Sequence, residues 1–465
     1  MEEDNQKNIE RRKFLKVLGG AAAASVVMAS GCGPNSKTSE SKEGGLGEVP
    51  KDKMTYRVTT NTGDKVSLLG YGCMRLPMKK KASGEGDEID QEAVNKSVDY
   101  AIEHGVNYFD TSPFYVRGLS ETAMGIALSR HPRDKYFIAT KLSTFPDDRH
   151  LRSREDSMAM YEKSFKDLRV DYIDYYLLHA TGLGGMKAVK ERFYDNGMLD
   201  FLLEERKKGR IRNLGWSFHG DLEVFDHLLS LDIKWDFVMI QLNYVDWKHA
   251  SGANINAEYL YGELLKRNIP AIVMEPILGG QLAKLSDFLV AQLKQRRPQE
   301  SAASWAFRYA GSFPGVLTVL SGMTYMENLQ ENIRTYSPLE PLSNDEFVLL
   351  EDIAQMFLKY PSIPCTNCQY CMPCSYGIDI PSVFTHYNKC VNEGNVPKTS
   401  NDENYAAARR AFLVGYDRSV PRLRQANHCI ACNQCVPHCP QRIDIPNEMA
   451  RIDKFTEQLK QGLTF

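Results

Sequence analysis

The chain has 465 residues, of which 43% are hydrophobic and 25% are charged, and its formal net charge is −2. This length predicts two folded units, or one large unit with an appendage. The near-zero net charge gives no support for a nucleic acid or an anionic membrane surface as partner. After residue 32 no apolar run reaches the roughly 18 residues that a spanning helix needs, so we expect no transmembrane segment there.

The N-terminus combines a basic pair with a short apolar stretch of small residues. Arg11 and Arg12 lie in "RRKFLK", and "MASGC" ends at Cys32. These residues resemble a twin-arginine export signal and a bacterial lipoprotein box. We therefore expect residues 1–32 to direct export to the periplasm, with a lipid anchor at Cys32 as the one membrane contact; an Ala-rich helix inside the fold is the alternative. The polar, Gly- and Ser-rich residues 33–54 predict a flexible tether.

Eight short apolar runs, each followed by a helical pattern, occupy residues 55–340. The runs are "LLGYGCM", "VNYFDTS", "YFIATKL", "DYIDYYLLH", "IRNLGWS", "FVMIQLN", "AIVMEP" and "VLTVLSG", and helical segments include 91–104, 154–168, 199–208 and 258–267. This alternation predicts an α/β fold, a (β/α)8 TIM barrel. A hairpin around residues 61–64 precedes it and is expected at the barrel floor. A doubly wound sheet is the competing fold, but no G-x-G-x-x-G follows an early strand.

Polar groups stand at successive C-terminal strand ends, where barrel enzymes place their chemistry. They are Asp110 and Tyr115, Lys141, His179, Ser217 and Gln241. The segment "GVNYFDTSPFYVRGLSE" resembles the signature of the aldo-keto reductase family, and Lys141 in "ATKL" and His179 in "YYLLH" match the next two catalytic positions of that family. The resemblance extends from about residue 56 to residue 332.

The resemblance implies a small carbonyl or alcohol substrate and a division of roles among four residues. Tyr115 would donate a proton to the substrate oxygen, Lys141 would tune the phenol, Asp110 would hold Lys141, and His179 would orient the carbonyl. Such roles fit the chemistry, because hydride addition to a carbonyl leaves an alkoxide that needs a proton. A purely structural ion pair between Asp110 and Lys141 is the alternative.

The resemblance also implies a nicotinamide cofactor, NAD(P), extended across the barrel mouth. The residues that match its binding positions are Ser217 and Gln241 at the carboxamide and Gly322, Asn328, Glu331 and Asn332 at the adenosine end. Two departures are visible: Phe218 replaces the usual Asn, and Met274 stands where an aromatic residue often stacks. The loop after the eighth strand carries no basic side chain of the kind that selects NADP through its 2′-phosphate.

Eight of the eleven cysteines form two dense groups in residues 341–465, after a predicted helix at 345–358. The groups are "CTNCQYCMPC" and "CIACNQCVPHCP". The second group has the bacterial ferredoxin spacing, in which the fourth cysteine binds the other cluster. We therefore predict a helical ferredoxin-like domain with two [4Fe-4S] clusters, one held by Cys365, Cys368, Cys371 and Cys439 and the other by Cys429, Cys432, Cys435 and Cys374.

Three alternatives to this interpretation remain open. Two zinc sites would also use eight thiolates, although zinc sites usually pair C-x2-C knuckles across a long gap. Disulfides would suit an exported chain, and Cys390 is expected to be a buried small hydrophobe. At the level of function, an oxidoreductase with a redox partner protein competes with an electron-transfer or binding protein that keeps the barrel but no longer uses nicotinamide.

Overall fold

A computed structural model describes residues 48–59, 61–84, 86–144, 153–252, 254–359 and 362–462. Its strands are β1 (Tyr56–Val58), β2 (Lys65–Ser67), β3 (Leu69–Gly72), β4 (Met78–Lys80), β5 (Asp87–Ile89), β6 (Tyr108–Asp110), β7 (Phe137–Leu142), β8 (Ile173–Thr181), β9 (Ile211–Phe218), β10 (Phe237–Gln241), β11 (Ala271–Met274) and β12 (Val316–Ser321). Eight of them close into a barrel in the order β10-β11-β12-β3-β6-β7-β8-β9, with every neighbouring pair parallel. The predicted (β/α)8 barrel is confirmed.

The helices in the described residues follow the predicted alternation. They are α1 (Gln91–Glu103), α2 (Ser120–Leu128), α3 (Arg154–Leu168), α4 (Gly185–Val189), α5 (Met198–Lys207), α6 (Leu222–Ser230), α7 (Asp246–His249), α8 (Ala257–Lys266), α9 (Asp287–Arg296), α10 (Ala302–Gly311), α11 (Met326–Thr335), α12 (Asn344–Phe357), α13 (Ile380–Asn392), α14 (Tyr405–Ser419) and α15 (Ile445–Gln461). No helix among them is long and apolar enough to cross a membrane.

The barrel strands are buried on both faces, which explains why they read as continuous apolar runs. Tyr108, Tyr175 and Phe237 fill the barrel interior, while the outward side chains form a larger core beneath the helices. The predicted hairpin is β1 paired antiparallel with β2. Val66 of β2 is fully buried in the interior cluster and closes the barrel at one end.

Helix α12 belongs to the packing of the barrel, although the sequence analysis placed it after the domain boundary at residue 341. Its N-terminus is fixed by a capping box in which Ser343 and Glu346 each accept the backbone N–H of the other. Leu350, Ile353 and Phe357 on its inner face are buried in the barrel core. The polypeptide therefore leaves the barrel only after this helix.

Residues 362–462, here called the cluster domain, contain α13, α14 and α15 around a core of their own. Two similar segments, "CSYGIDIP" and "CPQRIDIP", introduce α13 and α15. In both, an aspartate caps the helix: Asp379 accepts from the backbone N–H of Ser382, and Asp444 from that of Asn447. A proline occupies the first turn of each helix, where its missing N–H costs nothing. The domain is thus an internal duplication.

The predicted signal at residues 1–32, including Cys32, and residues 33–47 of the predicted tether lie outside the described residues. The last part of that tether is ordered against the barrel: Val49 and Met54 are buried in its core.

Candidate active site and iron–sulfur sites

A buried ion pair lies at the C-terminal end of the barrel. The Lys141 ammonium, on β7, donates to Asp110 Oδ1 at 2.6 Å and to the carbonyl oxygen of Thr111 at 2.7 Å. Both charged side chains are almost completely buried, and burial raises the pKa of Asp110 while Lys141 opposes that rise. Removing either partner would leave a buried charge, at a cost of about 3–5 kcal/mol.

Tyr115 lies directly above this pair, on a short turn, Tyr115–Gly118, that follows β6. Its ring centroid is 4.7 Å from Lys141 Nζ, so the ammonium faces the ring of the phenol. Val116 and Arg117 adopt left-handed backbone angles in the same turn. Burial, followed by nearby groups that include Tyr370 and Asp110, raises the pKa of Tyr115 well above its usual value.

His179, at the end of β8, is oriented by two neighbours on its own side of the barrel. Its Nδ1 lies 2.6 Å from Ser143 Oγ, which in turn lies 2.9 Å from Ser112 Oγ. The fully buried Arg192 donates to the backbone carbonyl of His179. Burial, and then the charges of Lys141 and other cations, lower the pKa of His179 well below its usual value, so the imidazole is neutral at pH 7.

A residue from the cluster domain completes this group. Tyr370 lies between Cys368 and Cys371, and its hydroxyl is 3.4 Å from His179 Nε2. The hydroxyl groups of Tyr115 and Tyr370 are hydrogen-bonded to each other. The two phenols and the imidazole therefore meet at one point, and the four predicted catalytic residues are brought together beneath a fifth side chain.

The residues predicted at the carboxamide end of the nicotinamide lie close to this group. Ser217 Oγ accepts the backbone N–H of Ala180 at 2.8 Å. Gln241 Nε2 is buried and has no hydrogen-bond partner among the described residues. Phe218 turns away from the mouth and packs on Trp216 and Phe225. An amide oxygen could accept a hydrogen bond from Gln241 Nε2, so the surroundings of Gln241 suit the carboxamide of a nicotinamide.

The predicted adenosine end lies beyond β12. Asn332 donates to Ser321 Oγ at 2.9 Å and is buried, whereas Asn328 is exposed and Glu331 half-buried. Gly322 faces Arg75, which follows β3. These residues belong to the eighth strand–helix unit, three strands along the barrel from the strand of Ser217.

Residues 365–371, the first cysteine loop, lie between these two ends. Arg75 donates to the carbonyl oxygens of Thr366 and Asn367 at 2.7 and 3.2 Å, and Gln281 donates to that of Cys365 at 3.1 Å. Gly279 lies so close that an added Cβ would be 2.3 Å from Thr366 Cα. The first cysteine loop is therefore held against the segments that follow β3 and β11 at the barrel mouth.

The cysteines predicted for the first cluster converge around this loop. None of the ten described cysteines forms a disulfide. Burial, and after it the neighbouring thiols of Cys365 and Cys439, raise the pKa of Cys368 to about 12. The thiols of Cys368, Cys365, Cys439 and Cys435 likewise contribute to the raised pKa of Cys371, so the four predicted ligands of the first cluster lie near one another and near Cys435.

The cysteines predicted for the second cluster line one cavity. It contains about 310 Å³ of empty space, part of it open to solvent, and its walls include Cys374, Cys429, Cys432 and Cys435 with the apolar side chains Ile378, Ile380, Ile430, Ile445 and Met449. Among the described residues no three His, Cys, Asp or Glu side chains converge as they would on a single metal ion. A [4Fe-4S] cluster does not require its thiolates to converge on one point, since each thiolate binds a different iron. The four cysteines of each predicted set fit that requirement.

Family profiles match both parts of the chain. The profile described as "Aldo/keto reductase family" matches residues 68–355, and that described as "4Fe-4S dicluster domain" matches residues 364–443. The chain belongs to the aldo-keto reductase family. Its C-terminal part is a 4Fe-4S dicluster domain containing helices.

Among curated aldo-keto reductase relatives, L-galactose dehydrogenase of Arabidopsis thaliana is 25% identical over 316 residues, covering 64% of this chain and 93% of that protein. D-arabinose 1-dehydrogenase of Saccharomyces cerevisiae is 32% identical over 135 residues, covering 28% and 38%. Among solved structures, an aldo-keto reductase from Bacillus halodurans in its holo form matches with TM-score 0.50 and 22% identity, over 64% of this chain and 96% of that one. One from Klebsiella pneumoniae in complex with NADPH matches with TM-score 0.50 and 19% identity, over 65% and 96%.

Several residues of this aldo-keto reductase site escaped the sequence analysis. Ser143 and Arg192 support His179 from positions that carry no motif. Arg75 contacts the first cysteine loop, 291 residues later in the chain, and Tyr370 belongs to that loop. The one signal for Tyr370 was an aromatic residue at a position of the cysteine motif where the second group has Gln434.

Proposed function

We propose that the protein interconverts a carbonyl and an alcohol at the barrel mouth, with Tyr115 as the group that exchanges the proton of the substrate oxygen. The observation that carries this proposal is the buried Asp110–Lys141 pair beneath a phenol that also lies next to a neutral histidine. The names of two relatives, both sugar dehydrogenases, support sugar-like hydroxyl and carbonyl compounds as the first substrates to test.

The protonation states of these residues favour proton donation by Tyr115. A phenol whose pKa is raised stays protonated at neutral pH. It is nevertheless a far stronger acid than an aliphatic alcohol, so transfer of its proton to a substrate alkoxide is downhill. Lys141 then lies near the phenolate that remains and stabilises its negative charge, while Asp110 keeps the ammonium in place. The neutral His179 accepts a hydrogen bond at Nε2 when its Nδ1–H is donated to Ser143.

We further propose that the cluster domain holds two [4Fe-4S] clusters, on Cys365, Cys368, Cys371 and Cys439 and on Cys429, Cys432, Cys435 and Cys374. When bound, such clusters supply one-electron carriers. The second set is open to a partner: Cys432 is exposed, and Ile430 and Tyr376 beside the cavity are 58% and 47% exposed. This supports a redox partner protein that docks at the second set, while the first set lies next to the barrel.

Export by the twin-arginine route is part of the same proposal. The route carries folded proteins, which is what a protein with clusters inserted in the cytoplasm requires. We propose a periplasmic location, with Cys32 as the residue that receives a lipid anchor.

The test of the proposed chemistry is Tyr115→Phe. Aldehydes, ketones and sugars are supplied to the anaerobic full-length protein with reduced viologen as electron donor, and alcohols with an oxidised dye. Tyr115→Phe should lower turnover by about 10²–10⁴-fold, the contribution expected of a positioned acid, because the ring stays while the proton is lost. Iron and sulfide contents should not change.

Tyr259→Phe is the matched control, because Tyr259 is 41% exposed on α8 and makes a single side-chain hydrogen bond, to Asp226. Its turnover should equal that of the wild type. Undiminished turnover in Tyr115→Phe would overturn the role of Tyr115 as the acid. Absence of turnover with every carbonyl and alcohol in the wild type would instead favour the second candidate, an electron-transfer protein whose barrel serves only for binding. The first cysteine loop filling the mouth is the observation that supports that candidate.

A further inference from the structure

The position of the first cysteine loop defines what reaches the barrel site. Arg75 and Gln281 hold it through three backbone carbonyls. Glu275, which follows β11, accepts the backbone N–H of Gly279 at 2.5 Å and is hydrogen-bonded by the side chain of Thr366. The loop is thus fixed to the segments after β3 and β11, which lie on either side of β12 in the barrel.

This placement occupies the route that a dinucleotide would need. An extended cofactor with its carboxamide at Gln241 must pass the end of β12 to reach residues 322–332. Thr366 lies there, within contact distance of Gly279 and with its carbonyl oxygen bound to Arg75. The side chains of Arg75 and Gln281 along this route donate their hydrogen bonds to backbone carbonyls of the first cysteine loop.

The same loop delivers a side chain to the reacting groups. The Tyr370 hydroxyl is hydrogen-bonded to that of Tyr115 and lies 3.4 Å from His179 Nε2, and the Tyr370 ring makes an edge contact with the imidazole. Tyr115 and His179 are the pair between which the proposed substrate oxygen must bind. The Tyr370 hydroxyl occupies that position.

We propose that the first cysteine loop takes the place of nicotinamide in this protein: its backbone fills the dinucleotide route, and Tyr370 holds the place of the substrate oxygen until substrate displaces it. This inference rests on the proposed function. Cys365, Cys368, Cys371 and Cys439 would hold a cluster beside this site, and such a cluster would supply electrons one at a time. Reduction of a carbonyl to an alcohol would then take two electrons from an external low-potential one-electron donor and two protons, of which Tyr115 gives the proton of the new O–H bond and solvent gives the proton of the new C–H bond.

The first experiment uses the anaerobic full-length protein with both clusters in place. NADH, NADPH, NAD⁺ and NADP⁺ are titrated by calorimetry, and cluster absorbance is followed in parallel. We expect no saturable binding up to about 1 mM, the upper end of ordinary enzyme affinities, and no bleaching by NADH or NADPH, whereas dithionite bleaches the clusters. Saturable micromolar binding of any of the four nucleotides would overturn the proposal.

The second experiment moves the loop without touching a cluster ligand or a catalytic residue. Gly279→Ala would place a Cβ 2.3 Å from Thr366 Cα, whereas Gly280→Ala meets nothing within 4 Å. Both glycines have positive φ angles, 64° for Gly279 and 98° for Gly280, so backbone strain is at least as large in the control variant. Gly279→Ala should alter the electron paramagnetic resonance signal of one cluster, and Gly280→Ala should alter neither. Identical spectra in the two variants would show that the loop does not lie on Gly279.

The two proposals fail in different ways. Saturable nucleotide binding together with Tyr115-dependent carbonyl reduction would overturn the replacement of nicotinamide and leave the proposed function intact. Absence of nucleotide binding, a Gly279-specific spectral change and turnover unaffected by Tyr115→Phe would leave the loop in place and overturn the proton transfer by Tyr115 on which the proposed function rests.

Discussion

The two cysteine loops of the cluster domain have the same backbone and opposite surroundings. In the first loop Asn367 and Gln369 have positive φ angles, and in the second loop, residues 429–435, Ala431 and Asn433 have them at the matching positions. The first loop is held to the barrel by Arg75, whereas the second surrounds an open cavity. The two loops therefore share left-handed positions at matching places and differ in what surrounds them.

The residue between the second and third cysteines shows this difference most clearly. Tyr370 in the first loop reaches Tyr115 and His179, while Gln434 in the second accepts a hydrogen bond from Ser375 at the surface. The first loop thus contacts the barrel site, and the second lies at the surface.

The largest effect should come from removing one predicted cysteine ligand from each cluster in turn. Cys439→Ala removes a thiolate from the first cluster and Cys374→Ala one from the second, although each lies beside the other cluster's cysteines in sequence. We expect each variant to lose about half of its iron. Carbonyl turnover should vanish in Cys439→Ala, because the carrier beside the substrate is gone.

Iron analysis with resonance spectra of the remaining cluster checks this assignment. Gly279→Ala is expected to perturb the spectrum of the first cluster. If Cys439→Ala kept that spectrum, each cysteine group would bind its own cluster, and the predicted sets, in which each cluster takes one cysteine from the other group, would be wrong.

A smaller effect is expected from exchanging the residues that distinguish the loops. Tyr370→Gln removes the hydroxyl from between Tyr115 and His179, so substrate no longer has to break its hydrogen bonds. A neutral hydrogen bond is worth about 0.5–1.5 kcal/mol, so KM should fall by about 2–12-fold with little change in kcat. Gln434→Tyr should change neither constant. A collapse of kcat with KM unchanged would mean that Tyr370 takes part in the chemistry and does not merely hold the site.

The prediction with the smallest effect concerns pH. Burial lowers the pKa of His179, so below pH 6.5 the unfolded chain binds a proton that the folded chain does not, and stability falls as pH falls. One such group gives a slope of at most about 1.4 kcal/mol per pH unit. His386, whose pKa burial lowers to about 4, contributes a slope of the same sign in the cluster domain.

Denaturant unfolding between pH 4.5 and 8 measures these slopes. His179→Gln and His386→Gln should each reduce the slope of the free energy of unfolding against pH below pH 6.5. Neither variant should change that slope above pH 6.5. A slope that is unchanged in His179→Gln would show that the imidazole is protonated in the folded protein.

The sequence predicted the barrel because each of its strands is buried on both faces and therefore forms a continuous apolar run. It predicted the grouping of Asp110, Tyr115, Lys141 and His179 because parallel strands bring their C-terminal ends to one rim. It did not predict Tyr370, whose role depends on a contact 191 residues away from His179. Nor did it predict that the cluster domain covers the mouth, since the contacts of Arg75 and Gln281 are made to backbone carbonyls, which leave no trace in residue type.

The most direct test of the link between the first loop and the barrel is a potentiometric titration of both clusters followed by electron paramagnetic resonance, in the wild type and in Tyr115→Phe. Tyr115 hydrogen-bonds the side chain that lies between two ligands of the first cluster. Loss of its hydroxyl should therefore shift the potential or signal of one cluster and leave the other unchanged. Two unchanged clusters would contradict the account, because the barrel site and the first loop would then be independent.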